Sequence, residues 1–225
     1  MKKYNTMKNN VLILVSLILL IGCKKLEQEK VLSRVETLPF YDEATFTPKW
    51  FANDNDSLKY FHKIADFNLI NQDGETISNK TFSNKIYITD FFFTTCPGIC
   101  PKMTASMMDL QKEYINDDEV MLLSHSVTPE IDSVPTLKEY ALKNEIVSSK
   151  WHLVTGNRKE IYDLGRKSYF VEEDLGKEKT ANDFLHTENF VLVDKNKHIR
   201  GIYNGLNSND IIQLITDVKT LKKEK

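Results

Sequence analysis

The sequence predicts an α/β fold in which helices cover a central mixed β-sheet on both faces. Two observations lead to this fold class. Residues 85–93 and 120–127 are short runs of mostly apolar, aromatic and β-branched residues, as is typical of strands buried on both faces. Segments with apolar residues at helical spacing alternate with these runs, and the chain closes on a hairpin and an amphipathic helix.

Composition narrows the class of protein. The chain has 225 residues, of which 41% are hydrophobic and 28% charged, so it is too apolar for a disordered protein and suits one domain with appendages. Lys and Arg number 30 against 32 Asp and Glu, which argues against a strongly basic nucleic-acid binder, and we expect no nucleic-acid partner. Three cysteines are too few for a disulfide-dense scaffold.

Local signals set the predicted elements in order. Asp73-Gly74 predicts the turn of a first hairpin, and Pro101 and Pro135 suit the first turns of two helices. The order of strands and helices suits a thioredoxin-like fold. The predicted strands are 65–70, 75–78, 85–93, 120–127, 151–154, 189–194 and 199–203, and the predicted helices are 103–114, 137–146, 161–169 and 206–221.

The N-terminus is typical of a secretory signal. Residues 1–22 have a basic start without acids, and then the apolar run 11–21, which is too short to cross a bilayer comfortably as a helix. Leu20-Ile21-Gly22-Cys23 resembles the bacterial lipobox, so we expect Cys23 to be lipidated and to become the mature N-terminus. A signal anchor that is not cleaved is the alternative.

This reading gives three segments along the chain. We expect a lipoprotein signal peptide at 1–22, a lipidated tether and N-terminal arm at 23–57, and the folded domain at 58–225. The domain would then lie outside the cytoplasm in a bacterial cell envelope, anchored to a membrane through Cys23. Part of the arm is expected to pack on the domain through its large apolar residues: Leu38, Phe40, Tyr41, Phe46, Trp50 and Phe51.

The chemistry is concentrated in residues 94–101, Thr-Thr-Cys-Pro-Gly-Ile-Cys-Pro, between a predicted buried strand and a helix. A helical turn would bring the sulfurs of Cys96 and Cys100 to one side, and the helix N-terminus is expected to lower both thiol pKa values. Such a pair can exchange disulfides or bind a soft metal. A structural disulfide is a third possibility, but it would close only a local turn.

The spacing of the two cysteines favours a metal site over thiol–disulfide exchange. Redox thioredoxins have two residues between their cysteines and a cis-proline before a later strand, whereas this chain has three residues between them and no proline after Pro135. His186 stands where that proline would be, just before strand 189–194. Two thiolates and one imidazole suit copper, because thiolate favours Cu(I) and the nitrogen tolerates Cu(II). The other four histidines and the methionines are predicted to be structural.

At these positions the sequence resembles the Sco/SenC family of copper-binding proteins. The resemblance covers about residues 38–220 and implies a thioredoxin fold with one copper, Cu(I) or Cu(II), on Cys96, Cys100 and His186. Residues 126–135 match the family's second signature, which normally has Asp at the position of Thr128 and Arg at that of Ile131, so contacts made by those two charges are not expected in this chain. The matching segments are 91–103, 126–135, 137–141, 151–156 and 184–187.

The resemblance implies a membrane-anchored metallochaperone that helps assemble the dinuclear copper centre of cytochrome c oxidase. Its partners would be the copper-receiving oxidase subunit, a copper donor and a thiol reductant. We expect a carrier rather than an enzyme. The alternative is an extracytoplasmic thiol–disulfide oxidoreductase that uses Cys96 and Cys100 to reduce a partner's metal-binding cysteines; a thioredoxin-fold peroxidase is disfavoured because no peroxidatic motif is visible.

Overall fold

The computed structural model describes residues 35–52, 55–172 and 184–224. The predicted signal segment, Cys23 and the first part of the tether lie outside the described residues. Within the described ranges, no helix is both long enough and apolar enough to cross a membrane.

The described part of the chain forms one seven-stranded sheet with the strand order β2-β1-β5-β4-β3-β6-β7. Strands β3, β4 and β5 run parallel, while β1, β2, β6 and β7 pair with their neighbours in antiparallel fashion. The predicted mixed sheet is therefore confirmed. The strands are β1 Asn68–Asn71, β2 Thr76–Ser78, β3 Ile86–Phe92, β4 Val120–Ser126, β5 Trp151–Thr155, β6 Asn189–Val193 and β7 Ile199–Asn204.

Helices pack on both faces of this sheet. They are α1 Cys100–Tyr114, α2 Val134–Lys143, α3 Arg158–Asp163 and α4 Ser208–Leu221. Proline lies in the first turn of α1 and of α2, where its missing N–H costs no helical hydrogen bond. Side chains of Ser133 and Asn207 cap α2 and α4 by accepting hydrogen bonds from backbone N–H groups of the first turn.

Two predicted helices differ from the structure. The helix expected at 161–169 begins earlier, at Arg158, because the Asn157 side chain caps it, and it widens into a π-helical turn over Leu164–Ser168. The helix expected to reach residue 146 ends at Lys143, and the backbone takes a positive φ of 55° at Glu145. Both differences are at helix ends, where periodicity alone is least informative.

Strand β3 is buried along its whole length because its side chains alternate between two apolar layers. Ile86 and Ile88 point into the layer formed with α1, α2 and α4. Tyr87 and Phe91 point into the opposite layer, which includes α3. The sheet is therefore a rigid central platform, and the loop that follows β3 begins from a fixed point.

The N-terminal arm packs on this domain only in part. Leu38 and Phe40 are buried, and Tyr41 forms a backbone bridge to Ile199 on β7. Arg200 holds the arm in place by donating a hydrogen bond of 2.7 Å to the Leu38 carbonyl oxygen. Trp50, by contrast, is 56% exposed, so the expectation that it packs on the domain is wrong.

Candidate metal centre

The sheet topology brings three loops to one edge. Strands β3 and β4 are parallel, so their carboxyl ends meet there, followed by residues 93–99 and 127–133 respectively. Strand β6 is antiparallel to β3, so its amino end lies at the same edge, and residues 184–188 lead into it. The fold therefore places the segments carrying Cys96, Cys100 and His186 at a common edge.

Cys96 and Cys100 lie at the junction of β3 and α1, both as free thiols. Cys100 is the first residue of α1 and is only 4% exposed, whereas Cys96 lies in the preceding loop and is partly exposed. A Cβ on Gly98 would lie 4.0 Å from the Cys96 sulfur, an ordinary van der Waals distance. The two thiols are hydrogen-bonded, but a bend over residues 97–99 brings them together rather than the predicted helical turn, because α1 begins only at Cys100.

The two thiols differ in acidity. Partial burial opposes ionisation of Cys96, but a hydrogen bond from the Cys100 thiol and the backbone N–H groups of Gly98, Ile99 and Cys100 outweigh burial and lower its pKa. Burial, followed by the hydrogen bond to Cys96, raises the pKa of Cys100 to about 12. The expectation that the helix N-terminus lowers both pKa values is correct for Cys96 and wrong for Cys100, because desolvation dominates at the buried sulfur.

Asp90 is an acidic residue in the middle of the buried strand β3. Its contacts and its effect on Cys100 were not predicted from the sequence. Its carboxyl group is 2% exposed and accepts a hydrogen bond from the Ser124 hydroxyl, which in turn accepts one from Trp151 Nε1 at 2.8 Å. Burial raises the pKa of Asp90 to about 7, although the Ser124 bond opposes this. A charged form of Asp90 also contributes to raising the pKa of Cys100. The sequence signal that could have singled out Asp90 is the presence of one acidic residue within the apolar run 85–93.

The loop after β4 contains both departures from the family signature. Thr128 donates its hydroxyl to the buried carboxylate of Asp132 at 3.0 Å, so its side chain is used inside the loop. Ile131 has an apolar side chain and is 55% exposed. The sequence could not show what replaced the missing charges; the structure shows a hydroxyl donor at one position and an exposed apolar side chain at the other.

His186 lies in an extended segment whose neighbours anchor it. Its side chain is exposed, whereas Leu185 and Thr187 on either side are buried. Leu185 packs so tightly that a Cβ on Gly165 would lie 2.6 Å from its Cδ1 atom. The ring of Phe184 packs edge-on against Phe93, with 5.3 Å between ring centroids. These contacts tie the segment to the end of β3.

A backbone contact adds to these anchors. The His186 N–H donates to Glu172 Oε1 at 3.4 Å, and Arg166 holds Glu172 by an ion pair of 2.6 Å.

The structure does not close a three-ligand site. Among the described residues, no three side chains of His, Cys, Asp or Glu are grouped so that they could hold a metal ion. It brings Cys96 and Cys100 together and leaves His186 exposed on the neighbouring segment. The donor set still fits a soft metal, because one low-pKa sulfur already accepts hydrogen bonds, a second sulfur is adjacent, and an exposed imidazole has freedom to turn.

The remaining described histidines have structural partners, as predicted. His62 Nε2 lies 2.7 Å from the Ser168 carbonyl oxygen, and His198 Nδ1 lies 2.8 Å from the His62 carbonyl oxygen. His125 is fully buried and stacks on Phe91 with ring centroids 4.7 Å apart. His152 is buried beside Asn71. The methionines of α1 that share helical spacing, Met103 and Met107, are core residues with no exposed surface.

Comparison with known proteins agrees with this architecture. The SCO1/SenC family model matches residues 55–223. The SCO1 protein homolog of Bacillus subtilis is 32% identical over 167 residues, which is 73% of this chain and 84% of the relative.

Solved structures of Sco family proteins are also similar to this chain. BsSco, in which a disulfide switch has been identified, is a member of the Sco family of cytochrome c oxidase assembly proteins; it matches with a TM-score of 0.61 and 32% identity over 73% of this chain and 95% of that one. Arabidopsis thaliana ScoI with copper bound matches with a TM-score of 0.53 and 30% identity, over 69% of this chain and 94% of that one. The chain belongs to the SCO1/SenC family.

Proposed function

We propose that this protein is a copper metallochaperone of cytochrome c oxidase assembly. One copper ion is carried as cargo on the sulfurs of Cys96 and Cys100 and on the imidazole of His186. The copper-receiving subunit of the oxidase takes the ion, and a separate copper donor supplies it. The observation that carries the proposal is the pair of adjacent free thiols at the junction of β3 and α1.

Three further facts support it. A thiolate is the form that binds metal, and Cys96 has the lowered pKa that favours this form. His186 is exposed at the same edge, on a segment tied to the end of β3 through Phe184 and Phe93. In the same family, one structure holds copper, and another protein is described as an oxidase assembly protein.

The test is an anaerobic copper titration with metal analysis. The wild-type domain should retain one copper per chain and show a sulfur-to-copper charge-transfer band in the Cu(II) form. Cys96→Ser and Cys100→Ser should lose the band and the bound copper, because each removes one of two thiolates. Unchanged stoichiometry in Cys100→Ser would contradict the proposal.

A matched control separates ligand loss from general damage. His198→Ala removes an imidazole between β6 and β7, at the end of β6 away from residues 184–188, where its Nδ1 lies 2.8 Å from the His62 carbonyl oxygen. It should retain copper as wild type does, whereas His186→Ala should retain it poorly. Equal retention in the two histidine variants would remove His186 from the ligand set.

Thiol–disulfide exchange is the second candidate function, and the asymmetry of the cysteine pair favours it. Cys96 is partly exposed and acidic, as an attacking thiol requires, while Cys100 is buried with a high pKa and lies next to it, as a resolving thiol does. Exchange needs no imidazole. If His186→Ala keeps full exchange activity and wild type retains no copper, the oxidoreductase is the better account.

Membrane anchoring through lipid on Cys23 completes the proposal. The basic start, the short apolar run and Leu20-Ile21-Gly22-Cys23 support it, and the folded domain would then lie in the cell envelope outside the cytoplasm. Cys23→Ser should leave the protein unprocessed or release it from membranes. Mature membrane-bound protein with an unmodified Cys23, detected by mass spectrometry, would contradict this part.

A further inference from the structure

A buried carboxylate lies behind the cysteine loop. Asp132 has no exposed surface, and it joins two of the loops that meet at this edge of the sheet. Oδ1 accepts a hydrogen bond of 2.5 Å from the Thr94 hydroxyl, and Oδ2 accepts one of 3.3 Å from the Thr94 backbone N–H. Oδ2 also accepts bonds from Ser126 at 2.6 Å and Thr128 at 3.0 Å.

All four of these donors are neutral. A buried carboxylate needs its hydrogen bonds, because leaving any of its lone pairs without a donor is costly inside a protein. Hydrogen bonds to a carboxylate are also stronger than those between neutral groups. The two bonds from Thr94 therefore fix both the backbone and the side chain of that residue.

Thr94 is the last fixed point before Cys96. Strand β3 ends at Phe92, and Cys96 follows Thr94 by two residues. On the other side, Cys100 is held by the first turn of α1. The bonds to Thr94 therefore fix the N-terminal end of the loop, as α1 fixes its C-terminal end. With both ends held, the Cys96 sulfur faces the N–H groups of the turn and the thiol of Cys100.

The residue at position 128 matters to this arrangement. The family signature normally has Asp there, which would place a second carboxylate against Asp132. Thr128 supplies a hydroxyl donor instead, and its side-chain contact is one of the four bonds that satisfy Asp132. The Asp132 cluster, defined as Asp132 with Thr94, Ser126 and Thr128, is therefore specified by this chain's own residues.

We propose that Asp132 is a positioning residue for Cys96. It acts through Thr94, does not touch the cargo, and holds the loop so that both sulfurs face the same ion. The metal-binding part of this inference rests on the proposed function; the ordering of the loop does not.

The test uses two variants and two readouts. Thr94→Val removes the hydroxyl at nearly constant volume, and Asp132→Asn removes the charge. In the apo domain, amide hydrogen exchange of residues 94–100 should rise while that of β1 stays unchanged. In the copper-loaded domain, transfer of copper to a chromophoric chelator should become about 10- to 100-fold faster, the range typical for loss of a group that orients a metal ligand.

Two further variants guard against a general loss of stability. Thr94→Ser keeps the hydroxyl and should restore slow copper transfer. Thr216→Val removes a buried hydroxyl that donates to the Ile212 carbonyl oxygen within α4, and it should change neither readout at the cysteine loop. If Asp132→Asn does not fold, the comparison of Thr94→Val with Thr94→Ser still decides the matter.

The outcomes are separable. Faster exchange with unchanged copper transfer would show that Asp132 supports only the fold and would overturn the positioning role, as would no change in either readout. If the wild-type domain retains no copper, the proposed function fails. Loop exchange in Thr94→Val then decides alone whether Asp132 orders the segment around Cys96.

Discussion

The cysteine loop and the histidine segment lie at the same edge of the sheet, but the structure holds them differently. The loop around Cys96 is fixed by Asp132 on one side and by α1 on the other, with its two sulfurs already in contact. The segment around His186 is anchored by its neighbours, whereas its imidazole is exposed and makes no closed site.

This difference suits a carrier of metal. Under the proposed function, the fold would hold the two sulfur ligands together in advance, and His186 would join them when the ion arrives. A site that is partly open gives a partner access to the ion, which a closed structural metal site does not.

The largest expected effect is within the cysteine pair. At neutral pH, iodoacetamide should modify Cys96 at least about 100-fold faster than Cys100, because its thiol has a lowered pKa and is more exposed, while that of Cys100 is raised to about 12. Time-resolved peptide mapping by mass spectrometry measures both rates. In denaturant the rates should converge, and equal rates in the native protein would contradict the asymmetry.

The next effect concerns Asp90, whose charge contributes to raising the pKa of Cys100. Burial raises its pKa from 3.8 to about 7, so the native state binds more protons than the unfolded state across this range. Its contribution to stability is fully present below about pH 4 and is lost as pH rises through about 7, an effect on the order of a few kcal/mol. Urea unfolding at several pH values should show this loss in wild type.

Asp90→Asn provides the comparison. It cannot titrate, so its stability should vary less over the same pH range than that of wild type. Parallel stability curves for the two proteins would show that Asp90 ionises normally in the folded state.

A smaller effect is expected at the histidine segment. His186→Ala removes one ligand and leaves the dithiol, so copper transfer to a chelator should be about 10- to 100-fold faster. The alkylation rates of Cys96 and Cys100 in the apo protein should not change, because the imidazole is not part of the thiol contact. A change in those rates would mean that the two regions are coupled before metal binds.

The smallest effect tests the anchor of that segment. Gly165→Ala would place a Cβ 2.6 Å from Leu185 Cδ1, which must shift the chain next to His186 or the side chain of Leu185, at a cost of about 1–3 kcal/mol. Copper transfer should be faster than in wild type and slower than in His186→Ala.

Gly156→Ala is the matched control for this variant. Its Cβ would lie 2.7 Å from Leu69 Cδ2, so it should cost similar stability without affecting copper transfer. Equal transfer rates in the two glycine variants would show that the position of His186 does not depend on Leu185.

Much of the fold could be predicted from the sequence because strong local patterns agreed with one another. The buried runs predicted β3 and β4, and Asp73-Gly74 predicted the first hairpin, where Gly74 has a φ of 79°. The extent of the helix at Arg158 could not be predicted, since a cap and a π-helical turn are not visible in apolar periodicity.

The candidate site was predicted unevenly for a physical reason. Cys96 and Cys100 are close in the chain, so a tight bend between them is enough to bring their sulfurs together, although the sequence predicted a helical turn there. The hydrogen bonds of Asp132 to Thr94 and of Asp90 to Ser124 join residues far apart in sequence, and only the strand order reveals them. The raised pKa of Cys100 likewise depends on burial by neighbours that a sequence pattern does not place.

Cys96 and Cys100 are proposed to hold copper together, and the rate of their oxidation tests this most directly. Oxidation consumes the thiolates that bind metal, and bound metal removes them from exchange, so copper should protect the pair. Apo wild type, copper-loaded wild type and copper-treated His186→Ala are exposed to oxidised glutathione for timed intervals, and their free thiols are then alkylated and counted by mass spectrometry. We predict that copper-loaded wild type keeps both thiols far longer than the apo protein, and that His186→Ala loses most of this protection. Equal oxidation rates in all three samples would contradict the account and leave the cysteines as a redox pair alone.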